Sequence, residues 1–112
     1  MVPVPEVVAE LRELLTPRLV AYVAGVNETR AVHQWAEGER TPADEAQQRL
    51  RFALRIALPI VAADSAAIAQ AWFQGLNPQL DDRSPALLLR DGALDDVGPA
   101  IVAAERAFLV GG

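Results

Sequence analysis

The chain has 112 residues, with 15 Asp and Glu against 10 basic residues and a formal net charge of −5. No Cys and a single His exclude a disulfide framework, a thiolate zinc site, a Cys nucleophile and a metal held by paired imidazoles. One domain fits this length, which is too short for a barrel or a dinucleotide-binding enzyme of ordinary size, and the acidity argues against a generic nucleic-acid-coating protein.

All ten basic residues are Arg. Hydrophobic residues make up 52% of the chain but aromatics only 5%, and no apolar run alternates with period two, so the composition favours helix over sheet. Met1-Val2-Pro3-Val4-Pro5-Glu6 lacks the basic region and apolar core of a signal peptide. The most apolar stretch, residues 50–73, is interrupted by Arg51, Arg55, Pro59 and Asp64, too often for a membrane span. The expected location is the cytoplasm.

Three Ser/Thr-Pro pairs, Thr16-Pro17, Thr41-Pro42 and Ser84-Pro85, place a capping hydroxyl directly before a proline suited to the first helical position. All three read as helix starts. A first helix is expected over residues 5–15, where Val4, Val7, Val8, Leu11, Leu14 and Leu15 recur at three- and four-residue spacing. A second runs from Thr16 to about Ala24, stopped by Gly25 in the left-handed conformation. Asn27 is the expected cap of a third, over residues 28–37, stopped by Gly38. A long fourth helix opens at Pro42. Leu50, Leu54 and Leu58 form one stripe on it, and Phe52, Ile56 and Ile60 another. Either each stripe packs on a different part of the chain, or one is a homodimer face. Pro59 is expected to kink or end this helix. A fifth covers residues 65–73, closed by Gly75, and residues 77–83 are loop chemistry. A short sixth follows Pro85 and ends before Gly92. A last helix starts at Asp95 or Pro99 and reaches Val110, with Gly111 and Gly112 as a flexible end.

The expected fold is all-α, a small helical bundle of two lobes. Residues 1–58 form a helix-turn-helix lobe with the long linking helix, and residues 59–112 form a C-terminal helical lobe. Charge divides unevenly. Residues 1–56 hold seven Arg against eight acids, and residues 57–112 hold three Arg against seven.

Around Gly25 the pattern fits a helix-turn-helix. Val26, Val32 and Trp35 are expected to face inward, leaving Thr29, Arg30, His33 and Gln34 outward on the second helix. Arg and Gln read guanine and adenine edges by bidentate bonds, and Arg40 in the loop beyond is placed for a phosphate. A helical hairpin with a solvated face fits the same spacing. Residues 27–56 are neutral overall, and Glu28 stands where phosphates approach, so a monomer is expected to bind DNA weakly.

The segment from Leu11 through Thr16-Pro17 to Gly25-Val26, with Trp35, Gly38 and Pro42, resembles an Xre-type helix-turn-helix. The series Ala71-Trp72-Phe73, Leu76-Asn77-Pro78, Leu80, Arg83-Ser84-Pro85, Leu87-Leu88, Arg90 and Gly92 resembles the toxin-binding domain of the Xre/MbcA/ParS antitoxins. It is followed by a helix with Val97, Ile101 and Val102. The resemblance spans roughly residues 11–110. It implies a type II antitoxin that pairs with a RES-domain toxin, an enzyme that degrades NAD⁺, and blocks its cleft with the C-terminal helix and tail. Carried over, that tail is Glu105 to Gly112, with Phe108, Leu109 and Val110 as apolar anchors and Gly111 and Gly112 beyond them. Arg90 joins this toxin-binding set. The resemblance also implies repression of the antitoxin's own operon. Expected partners are therefore a RES-domain toxin and promoter DNA, in a homo-oligomer or a hetero-oligomer with the toxin. The alternative is a stand-alone helix-turn-helix regulator.

No enzyme is expected, because no nucleophile–base pair can be assembled: Ser65 and Ser84 read as caps and His33 has no companion. No cofactor and no metal are expected either. Asp81 and Asp82 fit a turn, Asp95 and Asp96 a helix start, and their spacing is not that of a calcium loop. Arg90 also fits a structural role, holding a loop to a helix C-terminus. Trp72 and Phe73 fall on different sides of a helix, which makes one of them a candidate interface anchor.

Overall fold

Helix ends in this protein are set by side chains that reach the first free N–H groups. In the computed structural model, which describes residues 1–111, Thr16 Oγ1 accepts from Leu19 N at 3.3 Å. Ser65 Oγ accepts from Ile68 N, and Ser84 Oγ from Leu87 N, both at 3.1 Å. The resulting helices are α1 (Val4–Leu15), α2 (Pro17–Ala24), α3 (Thr29–Ala36), α4 (Asp44–Ala63), α5 (Ala66–Gln74), α6 (Pro85–Asp91) and α7 (Leu94–Gly111). A 3-10 turn at Pro78–Leu80 is capped by Asn77 Oδ1. No strand forms among the described residues beyond a single bridge between Asn77 and Arg83. The all-α expectation holds.

Gly25 closes α2 at φ 90°, with its N–H shared between the Ala21 and Tyr22 carbonyls. A side chain there would be strained and would also press on the Arg49 guanidinium.

Four expectations are corrected. Thr41 does not cap α4, which starts two residues later behind Ala43 without a side-chain cap. The Pro42 carbonyl is turned back to accept from Gln47 Nε2 at 2.8 Å, and Asp44 and Glu45 supply the negative charge that the helix start favours. Asn27 does not cap α3, because its Oδ1 is taken by Arg90. Pro59 does not end α4, which continues to Ala63. Pro59 and Arg55 both lie on the solvent side, so water can reach the carbonyl that proline leaves unpaired, while the inward face continues unbroken. Finally, of the two stripes expected on α4 only Leu58 turns outward, while Phe52 and Leu54 are half-buried against the core beside Leu50, Ile56 and Ile60. Ala46, Leu50, Ala53, Ile56, Ala57 and Ile60 are buried, whereas Leu58 is exposed. Small residues on that buried face let α1 and α2 lie close against it.

One hydrophobic cluster draws on every helix, with Phe73, Leu11, Leu15, Leu50, Ile56, Ile60, Leu89 and Ile101 at its centre. Each such side chain stabilises the fold by about 1.5–3 kcal/mol relative to leaving it in water. A division of the chain at residues 58 and 59 falls inside α4. Polar contacts also cross that division: Gln70 Nε2 donates to the Leu14 carbonyl at 2.9 Å. No helix among the described residues is long and apolar enough to cross a membrane.

Candidate functional site

The α2–turn–α3 unit is built as its sequence pattern requires. Val32 and Trp35 are buried, and Val26 packs against the core. Trp35 Nε1 has no acceptor among the described residues. Thr29, Arg30 and His33 are exposed on α3, Gln34 is half-buried, and Arg40 is exposed in the loop that follows. Arg18 and Arg30 line one open cleft of about 700 Å³ beside Glu28 and Thr29. With Arg90 on its wall as well, the cleft joins three cations, one acid and the start of α3.

His33 has a partner that lies far away in sequence. Arg12 Nη1 on α1 donates to His33 Nδ1 at 3.0 Å, and its other nitrogen lies 3.9 Å from Glu37. The bond needs Nδ1 unprotonated, which leaves Nε2 as the ring's donor. Arg12 was not singled out from the sequence. Its partner is 21 residues away, and no local spacing signals it.

Arg90 projects from the last turn of α6 onto the turn between α2 and α3. Nη1 donates to the Tyr22 carbonyl at 2.9 Å and to the Val26 carbonyl at 3.2 Å, and Nη2 donates to Asn27 Oδ1 at 2.9 Å. Its guanidinium carbon sits 4.7 Å from the centre of the Tyr22 ring. These contacts match the structural role considered for it, holding a loop to a helix C-terminus.

The last turns of α7 bring together residues of unlike character. Glu105 is buried, 7% exposed, and its Oε2 has no partner. Burial pushes its carboxyl above the ordinary range, against the opposing pull of Arg55 and Arg106. Phe108 is half-buried against Trp72, with ring centres 6.4 Å apart. Trp72 packs edge-on against Phe73 as well, so both aromatics belong to the interior. Leu109 is exposed and Val110 is 90% exposed. Gly111 is still helical, and Gly112 lies outside the described residues. Of the expected tail set, Leu109 and Val110 thus present apolar surface, Phe108 does so in part, and Glu105 faces inward.

Asp81 and Asp82 both adopt positive φ, as turn residues do. Asp95 and Asp96 occupy the first turn of α7. Among the described residues, no three His, Asp or Glu side chains are grouped to hold a metal ion.

No family model matches the chain, and no curated protein matches it. Among solved structures it is similar to a chain of the crystal structure of the M. tuberculosis MbcT-MbcA toxin-antitoxin complex. The identity is 26% and the TM-score 0.70, over 96% of this chain and 97% of that one. The fold is MbcA-like, an antitoxin fold.

Proposed function

We propose that this chain is the antitoxin of a type II toxin–antitoxin pair, a non-enzymatic cytoplasmic protein that binds and neutralises a cognate toxin. The observation that carries the reading is the end-to-end likeness to a chain of a toxin-antitoxin complex, over 96% of this chain with neither partner much longer than the other. The toxin we assign is a RES-domain enzyme that degrades NAD⁺, as the Xre/MbcA/ParS resemblance implies. Residues 59–112 make the toxin-binding lobe and residues 1–58 the helix-turn-helix lobe. Neutralisation is by occlusion. The end of α7, with Leu109 and Val110 exposed and Phe108 behind them, enters or covers the toxin's cleft.

Co-expression with the product of the adjacent reading frame tests this. A stable complex and preserved cellular NAD⁺ are expected. A toxic partner left unbound, with NAD⁺ still lost, would overturn it.

Repression of its own operon is part of the same proposal, through Thr29, Arg30, His33, Gln34 and Arg40. Exposure of the α3 face supports it. That same face supports the second reading, a stand-alone regulator. A gel shift on the chain's own promoter addresses both, and Arg30→Ala with Gln34→Ala is expected to abolish it. An unchanged shift removes these residues from the DNA interface.

A further inference from the structure

The ends of α4 and α7 and one side of α5 enclose a groove of about 580 Å³. Its walls include Ile68, Ala71, Trp72, Phe108 and Leu109, and its only charged lining residue is Asp64. Asp64 is exposed, and its carboxylate forms no ion pair and no hydrogen bond among the described residues. It follows directly on α4, whose last carbonyls add negative partial charge at the same place. Trp72 and Phe108 stand side by side at 52°, and aromatic walls of this kind attract cations. No Arg lines the groove, and the surrounding half of the chain holds seven acids against three Arg.

These features select the occupant. A neutral apolar side chain fills the groove but leaves Asp64 unanswered. A second copy of this chain brings the same excess of negative charge to the contact, which opposes docking. A long side chain with an apolar stem and a cationic head satisfies both the walls and the acid. We propose that the α4–α5–α7 groove receives a Lys or Arg side chain of the cognate toxin, with the stem against Trp72 and Phe108 and the charge at Asp64. The inference rests on the antitoxin reading. It adds that the antitoxin accepts a side chain of its partner beside the helix end that it presents.

The test is the dissociation constant of the full chain with its co-purified toxin, for three variants that circular dichroism shows to be folded. Asp64→Lys reverses the groove's charge, and Ala71→Trp fills the groove from an exposed position on α5. Asp91→Lys makes the same change in net charge outside the groove, at the end of α6, where a cation suits the helix dipole. Asp64→Lys and Ala71→Trp are each expected to weaken binding at least about tenfold, and Asp91→Lys less than about threefold. Equal effects of the two Lys variants, or wild-type affinity for Ala71→Trp, would overturn the groove assignment and leave the antitoxin reading standing. A wild-type pair that forms no complex defeats both.

Discussion

Glu105 is a carboxyl group held in the interior by one turn of α7, with one oxygen unpartnered and the guanidiniums of Arg55 and Arg106 pulling against the desolvation. A raised folded pKa means that the folded state prefers the protonated form. Below the ordinary carboxylate range, about pH 4, Glu105 is neutral in both states and carries no penalty. As pH rises past that range the unfolded chain ionises first, and stability falls until the folded carboxyl ionises too. Glu105→Gln is therefore expected to raise the urea midpoint at pH 7 and to give no gain near pH 4. Denaturation of both proteins at the two pH values checks the direction. Arg90 is the opposite case, a charge whose donors are met by two carbonyls and an amide oxygen. Arg90→Gln is expected to lower stability by about 1.5–3 kcal/mol. Faster amide exchange in the turn before α3 is expected in the same variant, because that turn is what the guanidinium holds.

At the scale of the helices, two junctions carry constraints that single substitutions expose. Gly92 ends α6 so close to α7 that an added Cβ would lie 2.5 Å from Val97 Cγ1 and 2.8 Å from the Leu88 carbonyl. Gly92→Ala is expected to cost about 1–3 kcal/mol in urea unfolding, since neither the backbone nor a packed valine yields easily. Thr16 joins α1 to α2 at φ 80°, in a region that β-branched residues avoid, while its hydroxyl caps α2. Thr16→Ala loses the cap and keeps the strain, whereas Thr16→Gly loses the cap and releases it. The glycine variant is expected to be the more stable of the two, by about 1 kcal/mol in thermal or urea unfolding. What was legible in the sequence follows the same logic of reach. Thr16, Ser65, Ser84 and Gly25 act within a few residues of themselves, so spacing alone identified them. Asn27 was misassigned because its partner is Arg90, 63 residues away. On α4 only Leu58 was misassigned, because Ala46, Ala53 and Ala57 fill the places where α1 and α2 come close, while hydropathy favours the larger Leu58. Pro59 does not end the helix, because on the solvent side water can reach the carbonyl that it leaves unpaired.

Over the whole molecule, the end of α7 is both part of the core and the proposed instrument of neutralisation, and the boundary between these roles lies inside one turn. Glu105 is buried and Phe108 rests on Trp72, so removing residues 105–112 takes away interior contacts as well as surface. Loss of toxin control in that deletion does not distinguish occlusion from unfolding. The exposed large apolar residues of the tail begin at Leu109. A truncation after Phe108 removes apolar surface that stabilises little in the isolated chain, and its unfolding free energy in urea is expected to stay within about 0.5 kcal/mol of the full chain. Toxin affinity is expected to fall at least about tenfold in the same protein, because exposed apolar anchors matter only when a partner buries them. The α3 face lies on the other half of the chain and keeps its packing against α1 and α2, so any gel shift on the promoter should be unchanged. If the truncated protein still protects cellular NAD⁺ fully, the body of the C-terminal half neutralises the toxin and the helix end does not.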